Sequence, residues 1–422
     1  MRTNRFVATA ALSLLLGALS CENEELMRPA SLVPVNPLFE RYVSLGNSIT
    51  AGFQSFGLND SLQAAAYPVL LARAMGSPFF VPYLARLGCP PPITNIFTQA
   101  RLSFPAPAPP STGATCFLRT SQFPPPFLSN IGFPGSEVLE AYNYFDPAIV
   151  PSPTDAFRTF LLGGHTQVAA ARRARPTFVS VWLGNNDVLG AILDIPNAGN
   201  PALVTTPAAF ATRFAILLDS LDRIGTIRGG VLIGVVQAAL APYTSQGRAY
   251  AAAAAAIPTL TVNPNCLVVV PIPGGTAPLD SARVLIPFHY GAPLIAQAAA
   301  GVPTTLDCSV PQVISTAEAL NMVAAVAQYN VTILAAANAR GWAYVDPNLL
   351  LGALLAAPGA LRPFPDFPAN PAAPTANQLA APFGTAVSRD GIHPSSSTQR
   401  AIAQALRTEI NAKYGTSIPA IP

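Results

Sequence analysis

The sequence predicts an α/β fold in which helices cover both faces of a central parallel sheet. Short apolar runs alternate with longer amphipathic segments, which is the pattern of repeated strand–helix units. Apolar residues make up 51% of the 422 residues, enough to build a large core. One large domain spanning residues 41–416 accommodates this length if it carries long loop insertions.

The strand predictions rest on short runs of β-branched and aromatic residues that end at turn formers. The run at 42–45 ends at Gly46, and the run at 177–183 lies between Pro176 and Gly184. The predicted strands span residues 42–45, 79–81, 177–183, 231–236 and 342–345. Continuous rather than alternating apolar character indicates strands that are buried on both faces.

The helix predictions rest on apolar residues at helical spacing and on capping residues at the starts. The serines after Pro394 suit the start of a terminal helix. The predicted helices span residues 68–74, 136–139, 155–174, 207–224, 315–339 and 395–413. Three further regions are predicted as insertions or loops: a Pro-rich one at about 88–128, a second at 242–312, and a loop-rich one at 349–385.

The charge pattern argues against a nucleic-acid partner. Charged residues make up 10% of the chain and the formal net charge is +3, without a basic stripe. The arginines at 172, 173 and 175 form a short cluster that is typical of a solvated helix end.

The N-terminus has the features of a targeting segment. Arg2 and Arg5 precede an apolar stretch, 6–19, which is too short to span a membrane comfortably. Cys21 then follows small residues, which resembles a bacterial lipoprotein cleavage box. We therefore expect a signal peptide at 1–20, a lipidated Cys21 and a flexible tether at 21–40, with export to the bacterial cell envelope. An ordinary secretory peptide that is cleaved nearby is the alternative.

Four cysteines remain after Cys21, and an even number in an exported chain indicates disulfides. They are Cys89, Cys116, Cys266 and Cys308. Three pairings are possible, and we favour neighbour pairing, 89 with 116 and 266 with 308, which would close the two long insertions. Their spacing matches no zinc motif, so no metal site is expected.

Three short stretches that lie far apart carry chemically useful side chains. Ser48 follows the first predicted strand, with Gly46 before it and Gly52 after it. A serine in such a turn has an exposed hydroxyl and a free amide beside it. The ordinary alternative is a serine that caps a helix.

The second stretch is Asp390-Gly391-Ile392-His393-Pro394. A separation of three residues lets the carboxylate meet the imidazole within one turn, where it can orient the ring and stabilise its charged form. An exposed Asp-Gly turn with an incidental histidine is the alternative. The other histidines, His165 and His289, have no such aspartate, and we interpret both as structural.

The third stretch supplies candidate donors for a developing oxyanion. Asn186, in Gly184-Asn185-Asn186-Asp187, follows a buried strand, so its side-chain amide can lie over the site, although a tight turn would use the same residues. Gly135 is a candidate backbone donor, and Gly132 is a rival for that role. Ser48 and Asn186 should emerge at one edge of the sheet, where ligands of parallel α/β sheets bind.

Together these stretches resemble the SGNH, or GDSL-type, esterase/lipase superfamily. The blocks at 42–52, 130–136, 182–188 and 390–394 match four family blocks in order, over almost the whole mature chain. One departure is that Asn47 stands where the family has an aspartate. The resemblance implies a three-layer α/β/α, flavodoxin-like fold with a parallel sheet, and no metal or organic cofactor.

The resemblance also implies roles for individual residues. Ser48 would be the nucleophile, His393 the base and Asp390 its orienter, and the amides of Ser48, Gly135 and Asn186 would form the oxyanion hole. We therefore expect an exported, lipid-anchored serine esterase or lipase whose partner is a small-molecule, lipid or glycan ester. An O-acetyl-glycan esterase, an O-acyltransferase and a non-catalytic surface-binding lipoprotein remain open.

Overall fold

The computed structural model describes residues 33–85, 87–103, 126–143, 161–370 and 373–421. The predicted signal peptide, Cys21 and Cys116 lie outside these ranges. Part of the predicted tether belongs to the fold, because Phe39 is fully buried and its ring packs on Phe178 at a centroid distance of 5.2 Å. The domain therefore begins slightly before residue 41.

The strands, in chain order, are β1 (Tyr42–Gly46), β2 (Ile93–Asn95), β3 (Ala100–Arg101), β4 (Phe178–Trp182), β5 (Gly229–Ile233), β6 (Thr244–Gln246), β7 (Leu260–Val262), β8 (Val269–Pro271), β9 (Ser281–Arg283), β10 (Leu285–Pro287), β11 (Thr304–Leu306) and β12 (Ala343–Val345). The helices are α1 (Ser48–Ala51), α2 (Asp60–Ala64), α3 (Tyr67–Met75), α4 (Gln167–Ala174), α5 (Asn186–Leu193), α6 (Pro207–Asp222), α7 (Gly247–Ala254), α8 (Phe288–Ala299), α9 (Thr316–Arg340), α10 (Pro347–Ala356), α11 (Ala376–Ala380) and α12 (Ser396–Tyr414).

The central sheet has four strands in the order β1-β4-β5-β12, and every pairing is parallel. This confirms the predicted α/β class. Gly46 at the end of β1 lies opposite Trp182 at the end of β4. The segments that follow these two strands therefore begin at the same edge of the sheet.

Helices cover both faces of the sheet and complete three layers. Alternate residues of β1, such as Val43 and Tyr42, belong to different clusters of the core. The cluster with Val43 includes buried residues of α4, α6 and α9, and the cluster with Tyr42 includes those of α3 and α12. The buried strands need apolar residues on both faces for this reason.

One predicted strand, 79–81, is wrong. The outer edge of β1 is instead occupied by the extended segment that begins at Ser129, because the Ser44 N–H donates to the Ser129 oxygen at 2.8 Å and the Ser44 oxygen accepts from Ile131 at 3.0 Å. Phe80 pairs with the far side of that segment, and its oxygen accepts hydrogen bonds from Ser129 and Asn130. The segment that pairs with β1 is therefore the polar, Gly-rich one that begins at Ser129, and not the apolar run at 79–81.

The insertion at 242–312 has its own small core and three two-stranded sheets: β6 with β10, β7 with β11, and β8 with β9. A disulfide joins Cys266 to Cys308, which confirms that half of the predicted pairing. Cys89 is also disulfide-bonded, and its predicted partner lies outside the described residues. The disulfide is compatible with an exported protein.

The region at 349–385 is not only loop, as the sequence predicted, because it begins within α10. Among the residues of α10, Pro347 alone is buried, and the side chain of Leu349 is 77% exposed. This helix is apolar around its whole circumference, so its hydrophobic residues show no helical periodicity that would separate it from an apolar loop.

The stretch Pro201–Asp222, which includes α6, and the helix α9 are long and apolar enough to cross a membrane. Both contribute buried residues to the core beside the sheet, among them Phe210, Phe214 and Val326. This packing accounts for the buried apolar residues of both segments, whereas Ile216, Val331 and Leu334 on the same helices are exposed.

Candidate active site

Ser48 is the first residue of α1, just beyond the carboxyl end of β1. Asn47 caps this helix, and its side-chain oxygen accepts a hydrogen bond from the Ile49 N–H at 3.0 Å. The end of the strand requires a glycine at position 46, because a Cβ there would collide with the Thr50 side chain. Since Asn47 is the cap, the hydroxyl of Ser48 is not engaged in capping, which was the ordinary alternative for this serine.

The imidazole of His393 connects Ser48 with Asp390. Its Nε2 lies 3.0 Å from the Ser48 hydroxyl oxygen, and its Nδ1 lies 2.8 Å from Oδ2 of Asp390. Ser48 and His393 are 345 residues apart in the chain. The fold therefore brings a hydroxyl, an imidazole and a carboxylate from opposite ends of the chain into one line of hydrogen bonds.

The Asp390 carboxylate is completely buried and accepts hydrogen bonds at both oxygens. Besides His393 Nδ1, Oδ2 accepts from the Phe56 N–H at 2.9 Å, and Oδ1 accepts from the N–H groups of Ile392 and His393, each at 2.9 Å. Burial by itself would raise the pKa of Asp390, but His393 and the backbone donors outweigh burial and hold that pKa below its ordinary value. Asp390 is therefore ionised at neutral pH.

A strained loop supports this pair of residues. Ser55 and Phe56 have φ angles of 54° and 47°, a left-handed conformation that non-glycine residues seldom adopt. The conformation places the Phe56 N–H on Asp390 and its ring 6.5 Å from the His393 ring, while Phe53 packs on the imidazole at 5.0 Å. The role of Phe56 could not be found from sequence, because nothing distinguishes it from other aromatic residues in loops.

Asn186 begins α5, and its side chain reaches the segment that lies beside β1. Its amide nitrogen donates a hydrogen bond to the Ser136 oxygen at 2.8 Å, which leaves the second hydrogen of the amide available. Asn186, Ser48 and His393 all line one cleft. The structure thus places this predicted donor in the same cleft as the hydroxyl and the imidazole.

The structure distinguishes between the two glycines that are candidates for the backbone donor of the oxyanion hole. The N–H of Gly132 already donates to the Asn130 side chain at 3.1 Å, and a Cβ on Gly132 would lie 2.8 Å from the Thr50 side chain. Gly135 has a φ of +86° with open space where a Cβ would stand, and no described residue accepts a hydrogen bond from its N–H. Gly135 is therefore the better candidate donor, although it is not among the residues that line the cleft.

Asp187 fixes the position of the segment that contains Ser136 and Val138, a role that sequence reasoning missed. It is fully buried, and its Oδ2 accepts a hydrogen bond from the Val138 N–H at 3.0 Å. Burial raises the pKa of Asp187 to about 6, and burial together with neighbouring carboxyls raises the pKa of Glu137 to about 7. Two adjacent side chains, Asn186 and Asp187, thus hold the backbone at Ser136 and Val138. The Asn-Asp pair was the sequence feature from which this role of Asp187 could have been predicted.

The cleft beside Ser48 has a volume of about 130 Å³ and no charged side chain in its lining other than His393 when that ring is protonated. The apolar side chains that line the cleft come mainly from α5, from the segment after β5, from α10 and from the segment around His393. They include Leu189, Leu240, Leu350, Leu351, Leu354, Leu361, Val387 and Ile392. Neither His165 nor His289 lines this cleft.

His165 and His289 contact other parts of the fold. His165 lies 2.7 Å from an exposed Arg173 nitrogen, and His289 lies 3.0 Å from the Tyr243 hydroxyl. Across the described ranges, no group of three or more His, Cys, Asp or Glu side chains is arranged to hold a metal ion.

Comparisons with known proteins give only a remote likeness. No protein-family profile matches the sequence, and no curated protein sequence matches it. Solved structures of variants of Axe2, an acetyl-xylooligosaccharide esterase from Geobacillus stearothermophilus, are similar at 12% identity with TM-scores of 0.35 to 0.36. These matches cover 88% of this chain and 94% of the esterase. A likeness at this level assigns neither a family nor a substrate to the chain.

Proposed function

We propose that this protein is a serine carboxylic ester hydrolase of the SGNH type. The observation that carries the proposal is the line of hydrogen bonds from Ser48 through His393 to the buried, ionised Asp390. A nucleophile needs an adjacent base, and the base needs an orienting group, and these three side chains have the required contacts.

In the proposed reaction, His393 Nε2 accepts the proton of Ser48 while the hydroxyl oxygen attacks the ester carbonyl. Asp390 accepts from Nδ1, so it keeps the proton of the neutral ring on that nitrogen and stabilises the imidazolium that forms. The leaving alcohol takes the proton from Nε2. Water then attacks the acyl-enzyme with His393 again acting as base, which regenerates Ser48 and releases the acid.

The oxyanion is stabilised by the Ser48 and Gly135 N–H groups and the free hydrogen of the Asn186 amide. The positions of Ser48 and Asn186 in one cleft support this assignment, as does the N–H of Gly135, for which the described part of the chain offers no acceptor. Because Asn186 is also bound to Ser136, its amide is oriented before substrate arrives, and such preorganised donors are the most effective.

We also propose that the enzyme is exported and anchored to a membrane through a lipidated Cys21. The Arg2 and Arg5 region, the apolar stretch after it and the small residues before Cys21 support this proposal. Labelling with a radioactive fatty acid, compared between wild type and Cys21→Ala, tests it. Equal incorporation in both proteins would overturn the anchor.

A fluorophosphonate probe tests the hydrolase, because it forms a covalent bond only with an activated serine. Mass spectrometry should find the adduct on Ser48, and labelling should disappear in Ser48→Ala and in His393→Ala. His165→Ala is the matched control, since this histidine is partly exposed and lies outside the cleft. A stable, folded protein that neither labels nor hydrolyses p-nitrophenyl acetate would support the non-catalytic alternative.

A further inference from the structure

The cleft beside Ser48 shares part of its lining with a second hollow. The second hollow has a volume of about 460 Å³ and is lined by residues of β12, α10 and α12. Four residues line both spaces: Trp182, Pro347, Leu350 and Ile402. A side chain that borders both spaces can separate them.

Leu350 is the least constrained of these four residues. Trp182 is 1% exposed and Ile402 is 7% exposed, and both belong to the core beneath the site. Pro347 is buried at the start of α10. Leu350 is only partly buried, on a helix that buries no other residue than that proline.

The lining of the cleft indicates what it binds. Its surface is formed mainly by Leu, Val, Ile, Ala and Pro side chains and has no Asp, Glu, Lys or Arg. Outside the proposed catalytic groups, its polar side chains are Asn47, Asn185, Gln237 and Thr398. A sugar needs polar partners for its hydroxyl groups, because a polar group that is buried without a hydrogen bond is costly. An alkyl chain has no such need, and it gains free energy in proportion to the apolar area that it buries.

The volume limits the length of that chain. A cavity of about 150 Å³ in another protein accepts benzene, so a cleft of about 130 Å³ accommodates roughly six carbons. A longer chain would have to displace Leu350 to reach the second hollow, or leave its end in solvent at the open side of the cleft, where it gains no further burial.

We infer that the cleft binds the apolar acyl chain of the ester, that it accepts up to about six carbons, and that Leu350 sets this limit. The inference rests on the proposed function and deepens it, because it selects aliphatic acyl esters over O-acetyl glycans. Leu350 is thus a specificity-determining residue.

The first test is a series of p-nitrophenyl esters from acetate to palmitate. In the wild type, kcat/KM should rise about 4-fold for each methylene that is buried, reach a maximum near hexanoate and then fall. Leu350→Ala joins the two spaces, so the maximum should move by four or more carbons, to decanoate or beyond. A wild-type maximum at acetate would overturn the inference, although the proposed hydrolase would stand.

Leu355→Ala is the matched control, because Leu355 is also partly buried on α10 but lines neither space. It should loosen the helix to a similar degree without joining the two spaces, so its chain-length profile should remain that of the wild type. A profile that is the same for both variants, shifted or not, would show that Leu350 is no length limit.

A binding measurement keeps the inference testable if the hydrolase proposal fails. Trp182 borders both spaces, so bromoalkanoates that enter the cleft should quench its fluorescence. In Ser48→Ala protein, 6-bromohexanoate should quench at a concentration at least ten times lower than 3-bromopropionate. Equal concentrations for the two acids would overturn the inference without reference to catalysis.

Discussion

Replacing Asp390 with asparagine should reverse the direction of the hydrogen bonds that link residue 390, His393 and Ser48. The carboxylate oxygens accept N–H hydrogen bonds from Phe56, Ile392 and His393 as well as the Nδ1 contact. An asparagine has one oxygen, so its NH₂ group must replace an oxygen that accepts. If the asparagine oxygen keeps the two N–H groups of the turn, the NH₂ group faces Phe56 and the imidazole.

The imidazole can relieve this conflict by changing tautomer. With NH₂ beside it, Nδ1 becomes the acceptor, and Nε2 then carries the hydrogen. That nitrogen lies 3.0 Å from the Ser48 oxygen and would donate to it instead of accepting its proton. A base held in the wrong tautomer costs about 10⁴-fold in turnover.

The cost in stability should be smaller than the cost in activity. Only the Phe56 N–H loses its acceptor after the tautomer change, and one unsatisfied buried donor costs about 1–3 kcal/mol in the free energy of unfolding. We therefore expect Asp390→Asn to remain folded at 25 °C and to hydrolyse p-nitrophenyl butyrate about 10⁴ times more slowly than the wild type.

The assay pairs initial rates with urea unfolding of the same preparations. Asp280→Asn is the control, because this carboxylate is exposed and its rate should be unchanged. A folded Asp390→Asn protein with turnover within tenfold of the wild type would refute the tautomer argument.

Three further expectations concern other parts of the molecule. Asn186→Ala should lower kcat about 10²- to 10³-fold through the loss of one oxyanion donor, and wild-type turnover would remove Asn186 from the mechanism. The pKa of about 6 for Asp187 lies above its ordinary 3.8, so its charge destabilises the folded state above pH 6 and this cost disappears as the pH falls to about 4. Asp187→Asn should therefore add up to about 3 kcal/mol to the free energy of unfolding at pH 8 and little at pH 4, and an equal change at both pH values in urea titrations would contradict this. Replacing Cys266 and Cys308 by alanine opens a loop with a sequence separation of 42, which should lower the stability of the insertion by about 4 kcal/mol. Limited proteolysis should then cut the insertion earlier than in the wild type. Unchanged protection would show that the disulfide does not stabilise the insertion.

The layered fold could be predicted because its signals are local. β1, β4 and β5 are short, mainly apolar runs without polar alternation, and such runs fit a sheet that is covered on both faces. α9 begins at the capping box formed by Ser315 and Glu318, which is a local signal of the same kind.

Two parts of the fold could not be predicted in this way. The run at 79–81 has strand propensity, but the segment at Ser129 pairs with β1 instead. Backbone hydrogen bonds between distant residues determine which segment pairs with the strand. The helix α10 lies in a region that appears loop-rich, because leucines on every side of a helix give no periodic pattern.

By itself, the sequence determined the layer order and the residue types that chemistry needs, because apolar runs, caps and motif spacings are properties of neighbouring residues. Asp390 and His393 are three residues apart, so their contact could be expected from spacing alone. Only the tertiary structure decided that Ser48 meets His393 and that Leu350 borders two cavities. It also decided that, among the described residues, the Gly132 N–H has an acceptor and the Gly135 N–H has none. Each of these depends on how distant segments pack, and packing is set by the shape of the whole core rather than by any short stretch.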